Sequence, residues 1–252
     1  MFAGRFKNKV AVVTGGAAGL GFAIAKRIAS EGGMLALFDR NKQALESAQQ
    51  EFQRADLRAE VCEVDVGDEA SVEAGYAKVE KQFGRVDILI HSAGIVGPTS
   101  TNILKYSAKD FETVCRVNLH GSFLAAKGAL ARMTKTGAGR LLLIASIAGK
   151  EGNPGMCGYS ASKAGVIGLV KGIAKEFADT KITVNGLAPA VVQTAMVEAC
   201  TPEQVKYMAS KIPMQRFGTL DETAALSTWI VSDECSFTTG FTFDLTGGRA
   251  TY

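Results

Sequence analysis

The strongest constraint in this sequence is its rhythm. Short, nearly continuous apolar runs rich in branched residues alternate with longer helical patterns from end to end. Val10–Thr14, Leu35–Asp39, Glu60–Val64, Asp87–Ile90, Leu141–Ala145, Ile182–Leu187 and Phe241–Leu245 read as strands. Between them, Leu20–Ser30, Lys42–Ala55, Glu69–Phe83, Lys109–Met133, Tyr159–Phe177 and Asp221–Val231 read as helices. A run such as LLLIA has no polar face, which suits a strand covered on both sides in a parallel sheet. Parallel neighbours need crossover connections, and the intervening helices supply them. The expected fold is therefore α/β: a doubly wound, seven-stranded parallel sheet with helices on both faces.

At 252 residues one core can hide most of the unfolded surface, and no repeat or composition shift marks a boundary. A single domain spanning 1–252 is expected. The stretch 194–215 breaks the rhythm with Pro202, Pro213, Met208, Met214 and scattered charge. It reads either as a surface helix pair or as a substrate-site lid. Insertions at the carboxyl ends of strands tend to form the ligand crevice in such sheets, which favours the lid. Net charge is only +3, from 28 basic and 25 acidic residues without blocks, so no footprint for nucleic acid or an anionic membrane is present. Five cysteines without a C-x-x-C and two histidines point away from a disulfide framework or a zinc site. No metal is expected. The first residues lack a signal-peptide core and no long apolar span occurs, so a cytoplasmic protein is expected.

Directly after the first strand comes Thr14-Gly15-Gly16-Ala17-Ala18-Gly19-Leu20-Gly21, and a helix follows. A glycine-rich turn from strand to helix lets backbone N–H groups approach a pyrophosphate, whose charge the helix end stabilises. Glycines also close ordinary turns, but the strand before and helix after are the context that a nucleotide loop requires. The second strand ends in Asp39-Arg40, about 20 residues on, where a carboxylate accepts ribose hydroxyls and repels a 2′-phosphate. Asp39 also suits a helix N-cap, and the two roles are compatible. NAD is therefore expected over NADP, with Arg40 the group that would admit the phosphate.

The spacing Thr14-Gly15-x-x-x-Gly19-x-Gly21 resembles the short-chain dehydrogenase/reductase family. Further matches follow in family order from residue 10 to about 248. The resemblance implies a Rossmann-type fold with Thr14, Gly15, Gly19, Leu20, Gly21, Asp39, Arg40, Asp65, Val66, His91, Ala93, Gly94, Pro189, Val192 and Thr194 along the cofactor, together with Tyr159 and Lys163. Asp65-Val66 resembles the adenine contact, and Pro189 through Thr194 the segment against the nicotinamide. His91 and Ser92 stand where the family usually has two asparagines, and Ala190 where it has glycine after proline. The resemblance also implies that Asn118, Ser146, Tyr159 and Lys163 are catalytic, with Asn118 kinking its helix and positioning a water that relays protons to Lys163.

The chemistry of those residues agrees with that assignment. Tyr159 and Lys163 lie one helical turn apart on one face. A phenol with a pKa of roughly 10 is a poor base at neutral pH, and a neighbouring ammonium favours its phenolate. Tyr159 can then take or return a hydroxyl proton as hydride moves. Ser146 follows the LLLIA strand, where a hydroxyl can hold the substrate oxygen. Taken singly, each is an ordinary helix or turn residue; their combination with the glycine loop is specific. Cys115 and Cys157 read as apolar fillers without a histidine partner.

The expected activity is hydride transfer between NAD(H) and a secondary alcohol or ketone of a small hydroxylated substrate, a sugar, polyol or sugar acid. The alternative is an NADPH-dependent 3-oxoacyl-thioester reductase, a group that typically has arginine where Ala18 stands and lacks an acidic residue at Asp39. A non-catalytic nucleotide sensor would have no use for the Tyr159–Lys163 pair. The loop Ile147–Met156 and the tail Thr246–Tyr252 are polar; Lys150 or Arg249 either faces a substrate carboxylate, the tail reaching a neighbouring subunit, or both are solvated surface charges. Apolar residues on more than one face of Lys109–Met133 and Tyr159–Phe177 call for a second burial partner, and the resemblance implies a homotetramer or homodimer.

Overall fold

The computed structural model describes residues 4–194, 197 and 201–250. Its strands are β1 Val10–Thr14, β2 Met34–Asp39, β3 Ala59–Glu63, β4 Ile88–His91, β5 Ala138–Ile144, β6 Lys181–Pro189 and β7 Thr242–Leu245. Its helices are α1 Gly19–Ser30, α2 Lys42–Arg54, α3 Glu69–Phe83, α4 Ala108–Cys115, α5 Gly121–Thr136, α6 Ala148–Glu151, α7 Cys157–Glu176, α8 Pro202–Ser210 and α9 Leu220–Ile230. All strands are parallel in one sheet, in the order β3-β2-β1-β4-β5-β6-β7.

The apolar runs explain the layering. Side chains alternate across a strand, so Val10 and Val12 join one core while Ala11 and Val13 join the other. On β5, Leu141 and Leu143 pack with α3, α5 and α7, whereas Leu142 and Ile144 pack with α1, α2 and α9. A strand without a polar face is thus used on both faces. The chain runs outward from β1 to β3 and then returns to β4 on the other side of β1. The connections that leave the carboxyl ends of β1 and β4 therefore run to opposite faces of the sheet, and a crevice opens there.

One expectation needs correction. The pattern Lys109–Met133 is two α-helices, α4 and α5, joined by a π-helical turn at Arg116–His120. Apolar periodicity carries no signal for that extra residue per turn. In the stretch 194–215, α8 is helical and so is Val197; residues 195, 196 and 198–200 lie outside the described residues. α8 starts with a Thr201–Gln204 capping box and buries none of its residues. After it, Ile212 is 1% exposed and Met214 N–H donates to Gly247 O at 3.1 Å, which ties the segment to the C-terminal turn. Among the described residues no helix is long and apolar enough to cross a membrane.

Candidate active site

The crevice begins at the glycine loop. An added Cβ on Gly21 would lie 2.2 Å from Gly15 O, so only glycine lets α1 start this close to the end of β1. α1 also differs from its neighbours at its amino end. Asn41, Asp68 and Ser107 cap α2, α3 and α4 with side-chain oxygens, but Ala18 offers none, and no acidic residue occupies the first turn of α1. Its first N–H groups are left for an external anion, a fit for a dinucleotide pyrophosphate. Asp39, at the end of β2, leans over this loop. Its carboxylate accepts from Asn41 N–H at 3.0 Å and from Ala17 N–H at 3.4 Å, while Arg40 beside it is exposed.

Asp65 and Val66 follow β3. Asp65 accepts from Gly67 N–H at 2.8 Å and pairs with Arg116 at 3.3 Å. Partial burial raises its carboxyl, but those bonds and the Arg116 charge outweigh that and hold it below the usual range. Val66 is buried against Gly121. After β4, Ala93 N–H donates to Thr14 Oγ1 at 3.3 Å, so this loop is stitched to the glycine loop. His91 does not face the open crevice: its ring is 1% exposed and reaches Thr14.

Ser146 lies just beyond β5. Ala145 N–H donates to Leu187 O at 2.7 Å and Ile147 N–H to Pro189 O at 3.0 Å, so both flanking peptides are pinned to β6. Its hydroxyl accepts from Ala148 N–H at 3.2 Å and faces the Tyr159 phenol, whose ionised form it favours. The fit of α6 on α7 is close: a Cβ on Gly149 would meet the Lys163 carbonyl carbon at 2.6 Å. That approach brings the Ser146 loop against Tyr159 and Lys163. Lys163 Nζ lies 5.9 Å from the Tyr159 ring centre and donates to Ile144 O at 2.7 Å. Burial pushes the phenol above its usual pKa of 10, with Ser146 pulling the other way. Burial also pushes the Lys163 ammonium down to about 8, so it remains charged at neutral pH.

Asn118 occupies the middle of the π turn and is fully buried. Its Oδ1 accepts from Ile95 N–H at 2.8 Å, and its Nδ2 donates to Ile95 O at 2.9 Å and to Ser162 Oγ at 3.0 Å. Ser162 in turn donates to Tyr159 O at 2.8 Å. One amide therefore links the loop after β4 to the first turn of α7. The sequence reading gave Ser162 no role; its place within Tyr159-Ser160-Ala161-Ser162-Lys163 was the available signal. Pro189 closes β6, Val192 bridges to Gly218, and Thr194 O accepts from Val197 N–H at 2.9 Å.

The two cations weighed for a substrate carboxylate both have partners within the chain. Lys150 Nζ lies 2.8 and 3.0 Å from the Asp244 carboxylate. Arg249 bonds Glu151 at 2.8–2.9 Å and Asn153 at 3.3 Å, so the tail up to Ala250 folds onto its own chain. Residues 251–252 lie outside the described residues.

A parallel sheet with an anion-binding helix end at its switch point, and with Ser146, Tyr159 and Lys163 gathered beside it, defines a nucleotide-dependent oxidoreductase. The chain belongs to the short chain dehydrogenase family, whose model matches residues 9–217. It is 44% identical over its full length to a 2-dehydro-3-deoxy-L-rhamnonate dehydrogenase (NAD(+)) of Sphingomonas sp. (strain SKA58), covering 99% of that protein. It is 35% identical, over 97% of its length and 98% of the other, to the 3-oxoacyl-[acyl-carrier-protein] reductase FabG of Thermotoga maritima. Among solved structures, an NAD+-bound xylitol dehydrogenase superposes with a TM-score of 0.91 at 30% identity, covering 96% of this chain and 99% of that one.

Proposed function

We propose that this enzyme transfers hydride between NAD(H) and a secondary alcohol or ketone of a sugar, polyol or sugar acid. The observation that carries the reading is the Ser146–Tyr159–Lys163 cluster beside the uncapped end of α1. The choice of NAD rests on Asp39, whose carboxylate overhangs the glycine loop where a 2′-phosphate would sit. The full-length likeness to a sugar-acid dehydrogenase named for NAD(+), and the fold match to an NAD+-bound polyol dehydrogenase, support the cofactor and the substrate class together.

When bound, NAD supplies the hydride acceptor and a positive ring beside the phenol. Thr14, Gly15, Gly19, Leu20 and Gly21 would hold its pyrophosphate and Asp39 its adenosine ribose. Asp65, Val66, Ala93 and Gly94 would line the adenine side, and Pro189, Val192 and Thr194 the nicotinamide side. Ser146 orients the substrate oxygen. Tyr159 takes the hydroxyl proton during oxidation and returns it during reduction. Lys163, charged at neutral pH, favours the phenolate that burial opposes. Asn118 holds the start of α7 in register with the loop after β4. The segment 194–215 is the lid: α8 buries none of its residues, and the chain after it is tied to the C-terminal turn through Met214 N–H and Gly247 O.

The half-exposed Phe111 and Phe123 line one apolar cleft with Leu119 and Leu169, which supports a homotetramer built through this face; light scattering at micromolar concentration checks it. The free thiols Cys62, Cys115, Cys157 and Cys235 support a reducing, cytoplasmic setting. A panel of polyols, aldonic acids and 3-deoxy-2-keto aldonic acids, run with NAD and NADP, tests the reading. Turnover of a sugar-type substrate with NAD is expected. Turnover confined to 3-oxoacyl thioesters with NADPH would overturn it.

A further inference from the structure

The end of β4 holds a group that none of these roles uses. His91 closes the strand, in register with Thr14 on β1 and with Leu143 on β5. Its buried Nδ1 lies 2.8 Å from Thr14 Oγ1, and that same hydroxyl accepts from Ala93 N–H at 3.3 Å. One threonine oxygen therefore joins three segments: the residue that opens the glycine loop, the end of β4, and the loop that carries Gly94 towards Asn118. On the far side of the ring, Nε2 is buried without a partner among the described residues.

A neutral ring satisfies this geometry. Thr14 Oγ1 receives the Ala93 proton on one lone pair, and its own hydrogen can point at Nδ1 when that nitrogen is the acceptor. A ring that accepts at Nδ1 carries its proton on Nε2 and is neutral. An imidazolium would make Nδ1 a donor, leave the hydroxyl to accept twice, and bury a charge with no acidic partner at the ring among the described residues. Burial, with the Lys163 charge adding to it, pushes the ring down to about 3, so the acceptor form persists through neutral pH.

We infer that His91 is a positioning residue for the dinucleotide: through Nδ1 it anchors Thr14 and so fixes the glycine loop against the Ala93–Gly94 loop. The inference rests on the NAD(H) reading above. The ring does not touch the nucleotide, and a space-filling side chain would not substitute for it, because the role belongs to one atom. Asparagine places a polar atom on Cγ, where Nδ1 is attached. Glutamine places its polar atoms one bond further out, at the reach of Nε2. The two variants therefore separate the two ring nitrogens.

The test is calorimetric titration of NAD+ and of ADP-ribose, with steady-state turnover, on wild type, His91→Ala, His91→Asn, His91→Gln and Thr14→Val. His91→Ala, His91→Gln and Thr14→Val should each weaken both ligands about 5- to 20-fold, the range of one lost hydrogen bond. His91→Asn should recover affinity to within about threefold of wild type, and His91→Ala should raise KM for NAD far more than it lowers kcat. The double variant His91→Ala/Thr14→Val should bind no worse than Thr14→Val alone, since the valine already removes the bond to His91 together with that to Ala93. Unchanged affinity in His91→Ala, equal rescue by glutamine and asparagine, or additive losses in the double variant would each overturn the inference. Thr14→Val, close in shape to threonine, keeps the test open if the alanine variant does not fold. A wild type that binds no nicotinamide dinucleotide refutes the NAD reading itself, and the first titration shows that separately.

Discussion

Lys163→Met should make the protein more stable while abolishing its activity. Lys163 is 5% exposed, and burial alone takes its ammonium from 10.5 to about 8. Below pH 8 both folded and unfolded chains hold the proton, and the folded one carries the cost of burying it. At about 1.4 kcal/mol per pH unit, that cost is about 3 kcal/mol. Methionine fills nearly the same volume without charge, but it loses the bond to Ile144 O, worth about 1 kcal/mol. The net gain of about 2 kcal/mol corresponds to a Tm about 4–8 °C higher for a chain of this size. Between pH 8 and 10.5 the folded chain releases its proton before the unfolded one does, so wild-type stability rises with pH there and the advantage of the variant shrinks. Thermal melts of both proteins without nucleotide, at pH 7 and at pH 10, measure this. A variant that melts below wild type at pH 7, or a Tm difference that does not shrink at pH 10, would refute the reasoning. A positive result would mark Lys163 as a residue kept at the expense of stability.

Tyr159→Phe should lower kcat by about 10²–10⁴-fold while the Kd for NAD+ stays within about twofold, because only the proton route is lost; activity within tenfold of wild type sinks the acid/base assignment. Asp39→Ala should raise kcat/KM with NADP relative to NAD by at least about tenfold, since Arg40 is exposed and free to face a 2′-phosphate; wild-type preference for NADP would contradict it. Arg249→Ala, which releases the tail from Glu151 and Asn153, should raise the substrate KM with NAD affinity unchanged; no change in any substrate KM would show that the tail plays no part in the site.

The layers of this fold were legible because burial on two faces leaves an unbroken apolar run, and every such run became a strand within a few residues of its expected ends. The glycine loop and the Tyr159–Lys163 pair were legible for a related reason: each works through local spacing along a single turn or helix. What the sequence did not display depends on contacts between distant segments. The π turn at Arg116–His120 accompanies the buried bonds of Asn118 to Ile95 and Ser162, partners that no local pattern names. The pairing of Lys150 and Arg249 within the chain was hidden for the same reason. Their counter-ions, Asp244 and Glu151, come from sequence positions far from each cation, and only the folded chain sets them side by side.

The two buried nitrogen bases on the α7 side of the sheet show how burial assigns charge without a dedicated partner for each. Lys163 and His91 lie within range of each other's charge, and both are desolvated. Two cations there would repel in a region of low dielectric. Burial lowers both, but they begin far apart: the ammonium ends at about 8 and the imidazole at about 3. At neutral pH only the lysine is therefore charged, and the histidine is free to act as a neutral hydrogen-bond acceptor. An imidazole is admissible at position 91 on this account, whereas a guanidinium is not, because its charge cannot be shed. His91→Arg should accordingly depress Lys163 further or fail to fold, and a stable His91→Arg protein with wild-type turnover at pH 7 would show that the two sites are not electrostatically coupled.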